Sequence, residues 1–204
     1  MRKSNKFSSK SLIKKKIVQA VIFCGGFGTR VKKITKKIPK PLYKINGKEF
    51  LTYLIENIIR YGIEEILLLC HYKSFLFQKV AKKISNSGLR VRVIHEKYPR
   101  GSGGALINAK KYLKKKFYIF NGDTYFDFNY LDLQLSLNNK FVSTIAVLKD
   151  TYKKNGQIIL DKDKKIIYFN KKAKTRLLNS GVGILDKNIL KYFKFLKKKK
   201  FYFT

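Results

Sequence analysis

The chain has 204 residues, of which 45% are hydrophobic, so it is long enough to bury the core of one globular domain. Polar side chains interrupt every apolar run well before the ~18 residues that a membrane-spanning helix needs, which excludes a transmembrane protein. Two cysteines without metal-site spacing exclude a disulfide framework and give no indication of a zinc site. The basic start of the chain lacks the form of a secretory signal, so we expect a cytoplasmic protein.

The net charge of +35, from 47 Lys and Arg against 12 Asp and Glu, favours a polyanionic partner. The lysines are scattered along the chain, however, in runs such as residues 14–16, 114–116 and 197–200. Together with abundant Ile, Asn, Phe and Tyr, this is also what an A+T-rich coding sequence produces. Base-reading motifs are absent, so we expect small phosphate-bearing ligands and no nucleic acid. A basic nucleic-acid-binding protein stays open as the less favoured alternative.

Strands and helices alternate in the first part of the chain. Apolar, β-branched runs predict strands at residues 17–24, 65–70, 89–95 and 117–120. Apolar residues at helical spacing predict helices at residues 49–60, 74–84 and 103–112. This alternation predicts a parallel or mostly parallel sheet with helices on both faces.

After Asp123 the pattern changes to a short helix followed by several strands. The predicted helix covers residues 130–137, and the predicted strands cover residues 142–148, 157–160, 166–169 and 177–185, with one more helix from about Lys187. No linker separates the two halves, so we expect these strands and a flap to extend the same sheet. The domain prediction is a basic N-terminal extension over residues 1–16 and one domain over residues 17–204.

A glycine-rich segment follows the first predicted strand. Residues 24–30 read Cys-Gly-Gly-Phe-Gly-Thr-Arg, and Lys40 follows between two prolines. Glycines allow a backbone to approach a phosphate closely, and Arg30 and Lys40 supply the charge that a triphosphate requires. The alternative is a tight strand-to-helix turn with two ordinary surface cations. The segment is neither a P-loop nor a dinucleotide fingerprint, because the glycine spacing and the residues that follow differ.

The segment at residues 25–30, followed by Pro-Lys-Pro at 39–41, resembles the signature of the sugar-1-phosphate nucleotidylyltransferases. Three further segments match that family: Ile-Asn-Gly-Lys at 45–48, Gly-Ser-Gly-Gly-Ala at 101–105 and Asn-Gly-Asp at 121–123. The resemblance covers about residues 17–190 and is strongest to the heptose 1-phosphate guanylyltransferase branch. It implies a three-layer α/β/α Rossmann-like nucleotide-diphospho-sugar transferase fold with a mixed, mostly parallel sheet.

The resemblance also implies a role for each matching residue. Arg30 and Lys40 are implied as the catalytic residues that bind and polarise the triphosphate, and Asp123 as the Mg²⁺ ligand. The residues implied to border the nucleotide are Gly25, Gly26, Gly28, Thr29, Gly101 and Gly103. Independently, an Asp at the carboxyl end of an apolar strand lies where open α/β sheets bind ligands, although a helix-capping role is the alternative.

On the sugar side, residues 169–172 resemble a Phe-x-Glu-Lys motif in which Lys171 replaces the Glu. The resemblance implies sugar-phosphate binding by Lys172, Gly156 and Asn179. In a chain this basic, a surface lysine is the alternative for Lys172.

We therefore expect an enzyme that joins an NTP, with GTP favoured, to a sugar 1-phosphate such as a heptose 1-phosphate. The products are an NDP-sugar for polysaccharide or glycoconjugate precursors and pyrophosphate. His71 and His95 assemble into no nucleophilic triad, so a covalent mechanism gains no support. A non-catalytic relative that binds nucleotide or sugar phosphate stays open, as does a homo-oligomer.

The end of the chain leads to one more expectation. In the family, a second metal-binding carboxylate follows the segment that corresponds to residues 179–181. No Asp or Glu follows Asp186 here, and the resemblance assigns Asp186 itself to a turn. We expect these 204 residues to bind nucleotide but to turn over poorly, as a shortened gene product or a fragment of a longer one.

Overall fold

The computed structural model describes residues 16–26, 38–85, 88–137, 140–150, 157–169 and 175–193. Its strands are β1 (Gln19–Phe23), β2 (Lys44–Ile45), β3 (Lys48–Glu49), β4 (Glu65–Cys70), β5 (Arg90–His95), β6 (Lys116–Asn121), β7 (Ser143–Lys149), β8 (Ile158–Leu160), β9 (Ile166–Phe169) and β10 (Leu177–Asp186). Its α-helices are α1 (Phe50–Ile59), α2 (Ser74–Ser85), α3 (Gly101–Asn108), α4 (Leu131–Leu135) and α5 (Ile189–Phe193). Short 3₁₀ helices cover Lys40–Leu42 and Lys110–Tyr112.

Six strands form one mixed sheet in the order β5-β4-β1-β6-β10-β7. The four strands from β5 to β6 are parallel, and β10 is antiparallel to both of its neighbours. The predicted mixed, mostly parallel sheet is therefore confirmed. In the register, Phe23 is paired with both Leu69 and Asn121, so β1, β4 and β6 end at the same edge. Open α/β sheets bind their ligands at this carboxyl edge.

The two faces of the sheet bury separate apolar clusters. Because successive side chains of a strand point to opposite faces, Ala20 and Ile22 of β1 pack with residues of α1 and α2, whereas Val21 packs with residues of α3 and α5. The result is the three-layer arrangement that the alternation of elements predicts. None of the helices in the described ranges is long and apolar enough to cross a membrane.

Several helix and strand boundaries differ from the predictions. Helix α3 begins at Gly101, two residues earlier than predicted, and the region around Lys110–Tyr112 is a separate 3₁₀ turn. The hairpin of β2 and β3 was not predicted, although its Asn46-Gly47 turn has the positive φ angles of 49° and 80° that this dipeptide favours.

Of the later strands, β7 and β10 join the main sheet as expected, whereas β8 and β9 form a separate two-stranded sheet. These strands pair only with each other among the described residues. The turn between them is closed locally, because Asp161 Oδ1 accepts hydrogen bonds from the backbone amides of Asp163 and Lys165. The side chains of β9 are exposed, whereas Ile158 of β8 is buried and the backbone amide of Gln157 donates to the Leu177 carbonyl of β10 at 2.8 Å, so the hairpin packs beside the sheet without joining it.

A buried polar network ties the segment after β6 to the core. The Tyr118 hydroxyl donates to the backbone oxygen of Tyr130 at 2.9 Å and accepts from Gln134 Nε2 at 2.8 Å. Asn57 of α1 donates to the Tyr130 hydroxyl at 3.0 Å. Burial raises the pKa of both tyrosines above the usual value, so they act as neutral hydrogen-bonding groups. The network holds the chain that leaves the carboxyl edge after Asp123 against β6 and α1.

Candidate active site

The carboxyl edge of the sheet brings three distant segments into contact. A Cβ atom built on Gly25, after β1, would lie 3.4 Å from Oε2 of Glu96 and 3.6 Å from the backbone nitrogen of His71. His71 follows β4 and Glu96 follows β5. The start of the glycine-rich segment therefore lies directly against the ends of two neighbouring strands. Gly26 is exposed and has open space where a side chain would be.

Gly122 joins the end of β6 to the glycine-rich segment. Its amide donates to the backbone oxygen of Phe23 at 3.0 Å. A Cβ atom there would lie 2.8 Å from the same oxygen, 3.1 Å from Cys24 Sγ and 3.1 Å from Pro41 Cγ. Only a glycine allows this close approach, so the middle residue of the Asn-Gly-Asp segment is required by packing.

Lys40 and Asp123, which the sequence assigns to triphosphate and metal, are neighbours. Pro41 and Leu42 are buried and anchor the 3₁₀ helix that begins at Lys40. Lys40 Nζ lies 3.4 Å from Asp123 Oδ2, and the two side chains are 30% and 49% exposed. The helix-capping alternative for Asp123 is wrong, because the next helix begins only at Leu131.

Asn179 lies in a bulge of β10 beside Asn121. The pairing of β10 with β7 shifts register between Asn179 and Gly183. Within this bulge, Gly181 has a φ of +76° and donates its amide to Asn179 Oδ1 at 2.9 Å. A side chain on Gly181 would collide with the Asn121 amide. Asn179 thus shapes the bulge, and its role toward a sugar phosphate stays a prediction.

The predicted base-bordering glycines lie at the start of α3. Gly101 opens the helix with a φ of +77°, and Gly103 is buried within its first turn. A side chain on Gly104 would collide with Arg100, the residue that precedes the helix. Gly104 therefore allows the helix start to pack closely against Arg100, and Gly101 supplies the positive φ with which the helix begins.

Glu96, which the sequence analysis did not single out, is the most unusual group at this edge. Its residue is only 6% exposed, and Oε1 has no hydrogen-bond partner among the described residues. The backbone amide of Arg100 donates to the carboxylate, and attraction to His71 and Arg100 favours its charged form. Burial has the larger effect and raises the pKa of Glu96 above its ordinary value. The available signal was an acidic residue directly after a strand in a chain with few carboxylates.

The histidines and cysteines of this edge have structural partners. His71 Nδ1 donates to the Glu96 carbonyl at 2.7 Å, and His95 Nδ1 lies 2.9 Å from the Ser74 hydroxyl. Cys24 and Cys70 are buried, and burial raises the pKa of the Cys70 thiol. A buried thiol with a raised pKa is a poor nucleophile, as expected for a small buried hydrophobe.

Several predicted site residues lie outside the described residues. These are Gly28, Thr29, Arg30, Gly156 and Lys172. Among the residues that the structure does describe, no group of three or more His, Cys, Asp or Glu could hold a metal ion by itself. Asp123 is a single, half-exposed carboxylate, which fits the way Mg²⁺ binds to one or two carboxylates plus substrate phosphates.

The fold is shared with solved nucleotidyltransferases. The inositol-1-phosphate CTP transferase from T. maritima superposes with a TM-score of 0.77 at 18% identity, over 92% of this chain and 78% of that one. The nucleotidyl transferase family model matches residues 19–201. The chain therefore belongs to the nucleotidyl transferase family, as the glycine-rich segment predicted.

Relatives of higher identity include two curated guanylyltransferases and one further solved structure. The chain is 35% identical to a D-glycero-alpha-D-manno-heptose 1-phosphate guanylyltransferase of Campylobacter jejuni, over 89% of this chain and 81% of the relative. It is 32% identical to HddC from Yersinia pseudotuberculosis in a structure complexed with GMP-PN, with a TM-score of 0.76 over 92% and 83% of the two chains. It is 28% identical to a Mycobacterium tuberculosis mannose-1-phosphate guanylyltransferase, of which it spans 50%.

The packing of Gly122 generates the first prediction. In Gly122→Ala the new methyl group meets the Phe23 carbonyl, so we expect a loss of about 1–3 kcal/mol in the free energy of unfolding, measured by urea denaturation. Gly26→Ala is the matched control, because its methyl group meets no atom within 4 Å. Equal stability of the two variants would show that the close approach carries no cost.

The raised pKa of Glu96 generates the second prediction. Because the folded-state pKa lies above the ordinary value of 4.5, this group's contribution to stability is complete below that pH and is lost as pH rises through the raised pKa. Glu96→Gln removes the buried charge, so its melting temperature relative to wild type should rise between pH 4.5 and pH 8. Glu64→Gln, at an exposed position, is the control; a constant difference for Glu96→Gln would contradict the expectation.

Proposed function

We propose that the protein transfers a nucleotidyl group from an NTP to a sugar 1-phosphate, giving an NDP-sugar and pyrophosphate. The observation that carries this proposal is the pair of Lys40 Nζ and Asp123 Oδ2, 3.4 Å apart beside the glycine-rich segment at the carboxyl edge. The names of the relatives, which refer to heptose 1-phosphate and mannose 1-phosphate, support a sugar 1-phosphate acceptor and GTP as the donor.

The reaction is an in-line displacement at the α-phosphorus of the NTP. An oxygen of the sugar phosphate forms a new bond to that phosphorus, while the bond from the phosphorus to the pyrophosphate oxygen breaks. The attacking oxygen is already an anion at neutral pH, so no general base is needed. The protein has to bring two polyanions together and stabilise the charge that develops on the α-phosphate and the leaving group.

Lys40 and Arg30 are suited to this electrostatic task. The ammonium of Lys40 is placed by the two buried residues that follow it in the 3₁₀ helix. Its contact with Asp123 is partly exposed, and such ion pairs contribute only about 0–1 kcal/mol. Lys40 can therefore turn toward a phosphate at little cost. Arg30, which lies outside the described residues, is proposed to bind the same triphosphate.

Asp123 is proposed to hold Mg²⁺ together with oxygens of the nucleotide. The ion would neutralise part of the triphosphate charge, and the Lys40 and Arg30 side chains would neutralise the rest. Asp123 follows Gly122 at the tightly packed end of β6, so packing fixes the main chain that carries this half-exposed carboxylate.

The sugar phosphate is proposed to bind on the β10 side of Asp123. The bulge that contains Asn179 lies against Asn121, and Gly156 and Lys172 are the further proposed ligands. We place the reaction in the cytoplasm, where NTPs are made, and in the supply of activated sugars for polysaccharides or glycoconjugates. A screen of four NTPs against several sugar 1-phosphates, with pyrophosphate release as readout, tests the proposal. If no combination of substrates releases pyrophosphate, the result would favour a non-catalytic relative that only binds nucleotide or sugar phosphate.

Removal of either cation should impair the chemical step. Lys40→Ala and Arg30→Ala are each expected to lower turnover at least ~100-fold, because each removes about 3 kcal/mol of charge stabilisation in the transition state. Pyrophosphate release at saturating substrate measures the effect. Lys44→Ala, four residues from Lys40 on an exposed strand, is the matched control. Near-normal turnover in Lys40→Ala or Arg30→Ala would remove that residue from the mechanism.

Substitution of Asp123 should change the dependence on metal. Asp123→Asn keeps the shape of the side chain but removes its negative charge, so half-maximal activity should require at least ~10-fold more Mg²⁺. The measurement is a Mg²⁺ titration of pyrophosphate release, with Asp163→Asn in the exposed β8–β9 turn as control. An unchanged titration in Asp123→Asn would show that this carboxylate holds no metal.

A further inference from the structure

The two cysteines of the chain, which take no part in the proposed reaction, meet at the carboxyl edge. Cys24 directly follows β1, and Cys70 is the last residue of β4. The register pairs Phe23 with Leu69, so the two cysteines, as the next residues along, lie opposite each other. Both belong to the apolar cluster on the face of α1 and α2, and the Cys70 thiol is hydrogen-bonded to Cys24. The fold therefore brings together two sulfur atoms that are far apart in the sequence.

The backbone at this pair has the spacing that a disulfide requires. Neighbouring strands lie ~4.8 Å apart, which falls within the ~4.4–6.8 Å between Cα atoms that disulfides span. The main chain is held on both sides of the pair, because the Cys24 amide donates to the Leu69 carbonyl and the Glu96 amide donates to the Cys70 carbonyl, each at 2.8 Å. Rotation of the two side chains is therefore enough to bring the sulfurs to bonding distance.

The pair lies next to the junction that places the proposed phosphate and metal ligands. Cys24 Sγ is 3.1 Å from the Cβ position at Gly122, and Pro41 Cγ is at the same distance from that position. Gly122 directly precedes Asp123, and Pro41 directly follows Lys40. A bond to the other cysteine would pull this sulfur from hydrogen-bond contact to about 2.05 Å from its partner. The packing of the junction would change with it.

The glycine-rich segment gives a small oxidant a path to Cys24. Gly25 is half-buried and Gly26 is exposed, and a Cβ atom at Gly26 would meet no atom within 4 Å. Cys24 is 1% exposed and Cys70 is fully buried, so the reaction requires a brief local opening of the main chain after β1. Burial raises the pKa of the Cys70 thiol, so Cys24, which is nearer to solvent, reacts first.

We propose that Cys24 and Cys70 are a site of reversible oxidation, at which hydrogen peroxide joins the two sulfurs in a disulfide and slows nucleotidyl transfer. The effect on turnover rests on the proposed function. Peroxide first oxidises Cys24 Sγ to a sulfenic acid, while the O–O bond breaks and one water is released. The Cys70 sulfur then bonds to Cys24 Sγ, and the sulfenic hydroxyl leaves with the Cys70 proton as a second water. The two thiols supply the two electrons that reduce the peroxide.

The contact between the sulfurs favours the disulfide over further oxidation. An isolated sulfenic acid is oxidised on to sulfinic and sulfonic acids, whereas a neighbouring thiol converts it to a disulfide that other thiols can reduce. The contact also compensates for the small thiolate fraction of Cys70. In a reducing compartment, such a disulfide persists only while oxidant is present. The pair is thus suited to slow the use of NTP during oxidative stress and to restore it afterwards.

The test measures the mass, the free thiols and the turnover of the full chain after treatment with hydrogen peroxide. Because the chain has only two cysteines, loss of about 2 Da and of both thiols in a monomer identifies the disulfide without further mapping. Pyrophosphate release should fall at least about tenfold, since small displacements near a reacting centre can cost up to about a hundredfold. Dithiothreitol should restore both the thiols and the turnover.

Two variants are the controls, each compared with its own untreated sample. Cys70→Ala has one thiol, which can gain oxygen in steps of about 16 Da but cannot form a disulfide within a monomer. Cys24→Ala keeps only the fully buried Cys70, so peroxide should leave its turnover unchanged. If either variant fails to fold by circular dichroism, the mass, thiol count and recovery of wild type still decide the question.

Three results with wild type would overturn the inference. The first is survival of both thiols under conditions that completely oxidise free glutathione. The second is a disulfide that forms only between two chains. The third is a gain of oxygen without loss of about 2 Da, which would show that the sulfurs do not pair.

The outcome is distinguishable from that of the proposed function. Pyrophosphate release at equal rates in both redox states supports nucleotidyl transfer and contradicts the inference. A disulfide without release in either state contradicts nucleotidyl transfer. The inference is then decided by calorimetric binding of GTP, which the disulfide should weaken at least about tenfold. Equal binding in both redox states would contradict it.

Discussion

The contact between Gly122 and the Phe23 carbonyl is the constraint on which the candidate site depends. It closes the carboxyl ends of β1 and β6 onto each other, with Pro41 packed against the same point. The glycine-rich segment, Lys40 and Asp123 all leave from this junction. A side chain at position 122 would push apart the glycine-rich segment, Lys40 and Asp123. The short distance between the proposed phosphate and metal ligands therefore requires a glycine at this position.

The remaining parts of the site are fixed by the same topology. Parallel strands all run in the same direction, so the chain has to cross back over a face of the sheet between them, and the helices make these crossings. As a result, the segments that follow β1, β4, β5 and β6 all leave the sheet at the same edge. The polar network of Tyr118, Tyr130 and Gln134 then ties the chain after Asp123 back to the core. A rigid scaffold thus holds side chains that are themselves partly exposed and free to exchange partners.

The sequence predicts most of the fold because its periodicity is local. Strands β4 and β9 match the predicted bounds, since each is a short apolar or β-branched run between polar residues. The separate β8–β9 hairpin could not be predicted, because pairing with the main sheet or with a single neighbour leaves the same local pattern. The pairing of β8 with β9 is supported by the turn that Asp161 closes, and this contact is visible only in the structure.

The candidate site was predictable to the extent that it consists of glycines and charges at fixed spacing. Lys40 and Asp123 are 83 residues apart in the sequence. Only the resemblance of their two motifs to those of the family indicated that the two side chains meet, because the number of residues between them carries no such information. Glu96 was missed because a carboxylate becomes informative only when its burial and its lack of a partner are known. Neither property can be read from a single residue within the run His-Glu-Lys-Tyr.

The separation of Glu96 and Lys40 along the edge has a consequence for how a nucleotide enters. A nucleotide has a neutral end and a strongly anionic end, and the protein edge is asymmetric in the same sense, with the buried Glu96 side chain at one side and the partly exposed Lys40 ammonium at the other. A nucleotide that arrived the wrong way round would bring its phosphates to Glu96, a buried acceptor that offers them no donor, instead of to the Lys40 ammonium. In a chain whose net charge of +35 attracts anions from every direction, this asymmetry along one sheet edge would separate productive from reversed encounters.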